Sequence, residues 1–460
     1  MSISTSNNIT SAHAASKEHP DLARERALAS FSARQLTHLL NGGPQNTAAI
    51  ERIQRILGQE KIFDSMLACH LSHEGKYLRG IQMLERLQAL RKKHNWSKAD
   101  MAIVFMELKE SMPAVLSNDA IVETLETQAT DEQRARWVPL AKNWAILGCY
   151  SQSELAHGSN VRGIETTATF LPESDELELN SPTLTSAKWW IAGMGRTACV
   201  ALVMAQLVLA DGTRAGIFPF MVQVRSFVDH KLLPGVETGN VGPSYGYNII
   251  DFGYLSFKGV RIPRSNMLMR HAVLTREGKL HRTKMHDQRH VYSTLLSGRM
   301  IVIADASSYL SIGCTITTRY SLVRRQFSNR EANKDATEEV VILDHQSQQH
   351  RVLVPICEAY AFHFTSQRMK QLYQLLLSQE LSTEEANSML ATMHAAATAL
   401  KPYMASTTSA SLETLRRACG GHGYSEFSGF PPLITSYVQY NTGEGENHIM
   451  AQQAARALLK

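Results

Sequence analysis

The sequence is defined first by what it lacks. Its 460 residues hold no GxxxxGK[ST] phosphate loop, no GxSxG nucleophile elbow and no GxGxxG dinucleotide fingerprint, which sets aside the chemistries built on those motifs. "GGHGYSE" misses the last by one residue, and a simple helix C-cap is its alternative reading. The six cysteines are scattered, with no CxxC pair, so a disulfide framework or zinc site is not expected and a reduced compartment fits. No uninterrupted apolar stretch approaches bilayer length, and "MSISTSNNITSAHAASKEHPDL" has no apolar signal core, so neither secretion nor a membrane span is expected. A net charge of +5 is small, and the basic residues are dispersed apart from Arg91-Lys92-Lys93, Arg324-Arg325 and Arg416-Arg417. Nucleic acid is not an expected partner, and such clusters belong on solvated faces or at helix C-termini.

What is present is a globular composition, 44% hydrophobic and 19% charged, without internal repeats or low-complexity tracts. From about 18 to 147, stretches such as "GKYLRGIQMLERLQALRKKHNW" space apolar residues at helical intervals. Residues 148–275 change texture, with β-branched and aromatic runs and turn pairs such as Asp211-Gly212 predicting strands. After 276 the helical period returns in long segments. Ser382 or Thr383 is the expected N-cap of one of them, and "SNREANKDATEE" is an expected exposed connection. The expected domains are therefore 1–147 (helical), 148–275 (β) and 276–460 (helical), an α+β fold.

Three candidate sites stand out. His286 and His290 are four apart, a spacing that can put two imidazoles on one helix face, but no third ligand is near, so no metal is expected. Trp189-Trp190 can line a cofactor or pack a sheet. In "YNTGEGENHIM", Glu444 lies between glycines that let the main chain approach a ligand and present N–H groups beside the carboxylate; a turn with solvated acids is the alternative.

"CYSQSELAHGSNVRGIETTATF" followed by "NSPTLTSAKWWIAGMGRT" resembles the middle domain of acyl-CoA oxidases, flavoproteins of the acyl-CoA dehydrogenase superfamily. The similarity continues through "RYSLVRRQF", "LDHQSQQH" and "ACGGHGYSEFSGFPPL" to "GEGENHIM", over nearly the whole chain. The resemblance implies an acyl-CoA dehydrogenase-like fold: an N-terminal helical domain, a middle β-barrel or sandwich and a C-terminal bundle, with FAD between the last two. It implies Glu444 as catalytic base and Glu446 as structural. Gln152 and Ser153 match the segment that contacts the flavin ring edge. Ala192 and Gly193 stand where the family has two glycines touching FAD, and alanine is acceptable only if its φ is negative. Arg324 matches the arginine that reaches the FAD pyrophosphate of a neighbouring subunit. Phe327 is closer to the dehydrogenase branch, and Gly420 and Gly421 let a partner's cofactor approach the backbone.

The implied reaction is trans-2,3-desaturation of an acyl-CoA or related acyl thioester, with O2 as electron acceptor giving H2O2. A dehydrogenase using a protein acceptor, on a polyketide-like chain for example, and a non-catalytic flavin- or ligand-binding paralogue are the alternatives. A homodimer or homotetramer sharing FAD sites is implied. The second helical domain and Ser-Lys-Leu-type signal of many acyl-CoA oxidases do not follow "ARALLK", so peroxisomal location is an expectation from resemblance, with the cytoplasm as the alternative. Gly443 replaces the usual aromatic residue before the base, which predicts a remodelled acyl pocket.

Overall fold

The computed structural model describes residues 18–109, 112–113, 115–282, 288–328, 337–378 and 380–459. His286 and the side chain of His290 lie outside what is described, as does most of the connection expected at 328–339. Among the described residues, seven α-helices come first: α1 (Pro20–Ala27), α2 (Ala33–Leu40), α3 (Pro44–Gly58), α4 (His73–His94), α5 (Lys98–Leu108), α6 (Val115–Gln128) and α7 (Asp131–Lys142). Their starts follow local chemistry. Ser97 with Asp100, and Thr130 with Gln133, form reciprocal capping boxes at α5 and α7. Arg91, Lys92 and Lys93 fall in the last turn of α4, where cations meet the negative end of the helix dipole.

The β region comprises β1 (Gly148–Ser151), β2 (Thr167–Leu171), β3 (Glu176–Asn180), β4 (Lys188–Ala192), β5 (Val200–Val208), β6 (Arg214–Gln223), β7 (Val236–Asn240), β8 (Phe252–Phe257), β9 (Val260–Pro263), β10 (Ala272–Leu274) and β11 (Leu280–Arg282). β1, β5, β2, β3 and β9 pair in that order, with β6 added antiparallel to β5, while β4, β8 and β7 form a second sheet. Alternating side chains of both sheets, among them Phe170, Leu179, Ile191, Phe220 and Leu255, make one core. Asp211-Gly212 turns β5 into β6, with Gly212 at φ 82°. The β10–β11 hairpin carries the strand region past the expected boundary at 275 to Arg282.

The last third is a bundle of α8 (Gln288–Val323), α9 (Gln346–Leu377), α10 (Thr383–Ala418), α11 (Phe430–Tyr437) and α12 (Asn447–Leu458). Ser382 is the N-cap of α10, accepting from the Glu385 N–H at 3.3 Å while Glu385 reaches back to the Ser382 N–H at 2.9 Å. Leu296–Val323 of α8, with mean hydropathy 1.4, is long and apolar enough to cross a membrane by length and composition, although charged residues such as Arg299 and Asp305 interrupt its apolar run. Half of that segment is buried against neighbouring helices, including α9 and α10, and Leu296, Val302, Ile303 and Leu310 belong to the bundle core. It is the central helix of the bundle.

Candidate active site

The turn between α11 and α12 carries Glu444. The Gly443 N–H donates to the Gln439 carbonyl at 2.7 Å, and the next two residues take left-handed backbone, Glu444 at φ 54° and Gly445 at φ 97°. Glycine is required at 445, where a Cβ would meet the Met450 sulfur at 2.8 Å. At 443 a Cβ would press on the Gln439 carbonyl oxygen at 3.3 Å, a tight contact with backbone. A non-glycine residue held left-handed costs on the order of 1 kcal/mol and persists where its surroundings over-determine it. The surroundings here are polar: Asn447 donates to Asn441 Oδ1 at 3.1 Å and to Ser406 Oγ at 2.9 Å, and Glu446 caps α12 through the Ile449 N–H at 3.0 Å. Glu446 is thus structural, and its carboxyl is held below the usual range by the His448 and Ile449 N–H groups.

The Glu444 carboxylate lies against Gly298 of α8, where any Cβ would collide with its Oε2. It makes no hydrogen bond among the described residues. Glu444 is exposed by accessible surface in the single chain, yet protein atoms crowd around its carboxyl, and this partial loss of solvation pushes it above the usual range against the opposing pull of Lys401 and Arg299. Burial, and then the nearby Glu444 charge, raise the Tyr150 hydroxyl to about 12. Tyr150 stays protonated and donates to Gln152 Oε1 at 2.6 Å, which ties the Gln152-Ser153 segment to the surroundings of the base.

A buried ion pair positions that segment. Lys188, 0% exposed at the start of β4, donates to Glu154 Oε1 at 3.1 Å, to the Gln152 carbonyl at 3.1 Å and to the Met204 carbonyl at 2.7 Å. Glu154 also accepts from the Thr166 N–H at 2.9 Å and the Glu165 N–H at 2.8 Å. Burial raises its carboxyl, but Lys188 and these donors outweigh burial and hold it below the usual range, while burial brings Lys188 down to about 8. The Trp189 N–H then bonds the Ser153 carbonyl at 2.9 Å, so Ser153 runs beside β4, whose end carries Ala192 and then Gly193. Gly193 is left-handed at φ 83° and Ala192 is not, which meets the condition for alanine there. Trp189 stacks on Tyr254, with ring centroids 6.0 Å apart, whereas Trp190 is 56% exposed. Asp251 and Arg225 fix the loop after Gly193: Asp251 Oδ2 accepts from the Arg196 and Thr197 N–H groups at 2.7 and 2.8 Å, and Arg225 bonds the Met194 carbonyl at 2.9 Å.

Arg324, Phe327, Gly420 and Gly421 come together elsewhere. They line a cavity of about 940 Å³ with Arg351, Arg417 and His345. A Cβ at Gly420 or Gly421 would meet nothing within 4 Å, and Gly420 is left-handed at φ 59° just beyond the end of α10, so it both stops the helix and leaves the backbone open to approach. Phe327, also left-handed, is 76% exposed. The Arg324 side chain forms no ion pair among the described residues. This cavity sits at the C-terminal end of α8, whereas Gly298 and Glu444 lie near its other end, about 38 Å away at 1.5 Å per residue.

The two ends of the sequence that flank the β region match models of one family: residues 32–147 match the acyl-coenzyme A oxidase N-terminal domain, and residues 292–459 match the acyl-CoA oxidase C-alpha1 domain. The chain belongs to the acyl-CoA oxidase family. Among curated relatives, peroxisomal acyl-coenzyme A oxidase 1 of Rattus norvegicus is 36% identical over 445 residues, covering 96% of this chain and 66% of the rat protein. The Bos taurus protein of the same name is 37% identical over 447 residues, again 96% and 66%. This oxidase-family chain thus spans just under two thirds of those relatives' length. The solved Arabidopsis thaliana acyl-CoA oxidase 1 superposes with TM-score 0.90 at 34% identity, over 95% of this chain and 66% of that one. Acyl-CoA oxidase-2 of Caenorhabditis elegans, solved with FAD, ascaroside-CoA and ATP, gives 0.87 at 32% identity, over 96% and 66%.

Sequence reasoning had not singled out Lys401, Arg299, Lys188, Glu154, Arg225 or Asp251 in this family member. Lys188 and Glu154 are 34 residues apart, and Lys401 and Gly445 are 44 apart, so no local window joins them. The available signal was a lone cation in an apolar helical stretch, "ATALKPYM", which marks a buried charge seeking a partner. Among the described residues no three His, Cys, Asp or Glu side chains gather as metal ligands do.

Proposed function

We propose that this chain catalyses trans-2,3-desaturation of an acyl-CoA thioester, with O2 taking the electrons as H2O2. The observation that carries this reading is Glu444: a carboxylate with no hydrogen bond among the described residues, desolvated, flanked by two cations and set on a strained turn. Desolvation raises its proton affinity toward what abstraction of a weakly acidic α-proton needs, while the cations keep it ionised. The Glu444 N–H makes no hydrogen bond among the described residues and is free to polarise the thioester carbonyl.

The residues present fit FAD. The cationic cavity with an open glycine backbone suits a pyrophosphate, and the Gln152-Ser153 and Ala192-Gly193 segments suit a ring edge beside the base. When bound, FAD supplies the acceptor for the substrate's β-hydride and the route of its electrons to O2. Gln152, Ser153, Ala192 and Gly193 would hold the ring, and Arg324, Phe327, Gly420 and Gly421 of a second copy the pyrophosphate end, in a homodimer or homotetramer. The absence of a side chain at Gly443, directly before the base, supports an acyl group broader than a straight chain. The relatives' names support a peroxisomal location.

The test is the visible spectrum of the flavin-loaded protein, anaerobic, with straight-chain, branched and cyclic acyl-CoAs, then with air and a peroxide assay. Bleaching followed by rapid recolouring and peroxide is expected. Bleaching with slow recolouring would make it a dehydrogenase using another acceptor, and a flavin-loaded protein that no acyl-CoA bleaches would overturn desaturation. Equal or better rates with straight chains would overturn the broader pocket.

A further inference from the structure

Lys401 lies in the middle of α10, 0% exposed, and its ammonium reaches across to the turn that carries Glu444. It donates to the Gly445 carbonyl oxygen and, at 3.0 Å, to Asn447 Oδ1. Gly445 directly follows Glu444, and Asn447 ties back to Asn441 before it, so one lysine grips both sides of the strained pair. An amide could make such bonds without burying a charge, which is costly to bury. A charge does what an amide cannot: it acts on the carboxylate next door.

We propose that Lys401 is a positioning residue for Glu444, holding the backbone of its turn and, together with Arg299, keeping its carboxylate ionised at neutral pH. This rests on Glu444 being the base. The groups facing Glu444 can be named by element. From α8 comes Arg299, which is 7% exposed and bonded to His394 Nδ1 of α10 at 3.1 Å; from α10 comes Lys401; from β1 comes Tyr150, a neutral phenol. At the start of α12, the Glu446 carboxylate is turned into the helix N-terminus, beside His448. Lys401 is the larger of the two cationic influences on Glu444. Burial, and more weakly Arg299, bring Lys401 itself down to about 8, while the Glu444 and Glu446 charges resist that fall.

The test compares Lys401→Gln, which keeps a donor and loses the charge, with Lys401→Arg, which keeps the charge. Two readouts are taken on the flavin-loaded protein. One is the pH dependence of anaerobic bleaching by an acyl-CoA; the other, without substrate, is the Glu444 carboxyl titration, taken as the infrared difference from Glu444→Gln. In Lys401→Gln both titrations should move upward by about one on the pH scale, a roughly tenfold smaller ionised fraction on the acid side, and Lys401→Arg should move them back. Unchanged titrations in Lys401→Gln would reduce Lys401 to an anchor and overturn the proposal. If the Lys401 variants do not fold, Arg299→Gln, which leaves the turn's hydrogen bonds intact, should shift the infrared titration in the same direction, and no shift there would overturn it. If Glu444→Gln bleaches at the wild-type rate, the base assignment fails, and the infrared titration still shows whether Lys401 governs the carboxylate.

Discussion

Glu444 joins two properties that seldom coincide: a left-handed backbone without glycine's freedom, and a carboxylate pressed against a helix at Gly298. Each is unfavourable by itself, and together they place one oxygen pair where no side chain of α8 intervenes. Replacing Glu444 by Gln keeps the shape and removes the base. Bleaching by acyl-CoA should then slow by about 10²- to 10⁴-fold while flavin content is unchanged, which stopped-flow absorbance and the visible spectrum measure. The same substitution has a signed effect on stability. Because the folded carboxyl is raised above the ordinary range of a glutamate, the folded state holds a proton there that the unfolded chain has released, so wild-type stability falls as pH rises through that window. The Gln variant lacks that fall. Its melting temperature should draw level with wild type near pH 4 and exceed it at pH 7, and equal differences at both would contradict the desolvation of Glu444.

At the scale of elements, β4 and the segment after β1 are joined by an isolated antiparallel bridge, Glu154 opposite Lys188, and by the ion pair between the same two side chains. Breaking a buried pair from one side leaves an uncompensated charge and costs about 3–5 kcal/mol. Lys188→Met should lower the urea midpoint accordingly and loosen flavin retention through Gln152. Lys188→Met with Glu154→Leu should recover most of the stability, because apolar replacement of both partners is often neutral. Unequal legibility of the elements has the same origin. The α, β, α order, the Ser382 cap, the Asp211-Gly212 turn and the basic last turns of α4 and α10 were all readable, because each is fixed by residues within a few positions of one another. The ion pair, the Lys401 clamp and the Asp251–Arg225 support of the Gly193 loop were not, because their partners meet only after the chain has folded. Glu444 itself was legible through a motif, not through its environment. In α8, charged residues such as Arg299 and Asp305 interrupt the apolar run while the average over the helix stays high, as suits a helix half buried in a bundle.

At the scale of the molecule, the expected cofactor residues fall into two groups at opposite ends of α8. Gln152, Ser153, Ala192 and Gly193 gather on the Glu444 side, and Arg324, Phe327, Gly420 and Gly421 line the far cavity. Gly298, against the base, and the end of α8 beside the cavity are about 38 Å apart along the helix, which supports a reading in which the two groups of one chain serve different FAD molecules. Two chains arranged about a twofold axis can each lend a cavity to the other's base. The consequence is complementation between two inactive variants. Arg324→Glu places a negative charge where the pyrophosphate is expected, and Glu444→Gln removes the base. Each should be inactive when pure. In mixed assemblies isolated through two different tags, one kind of site pairs an intact Glu444 with an intact Arg324 and the other lacks both, so activity should return to about half of wild type per protomer. Mixed assemblies as inactive as their parents would mean that each site is built within a single chain, and that the Arg324 cavity binds something other than the flavin used by Glu444.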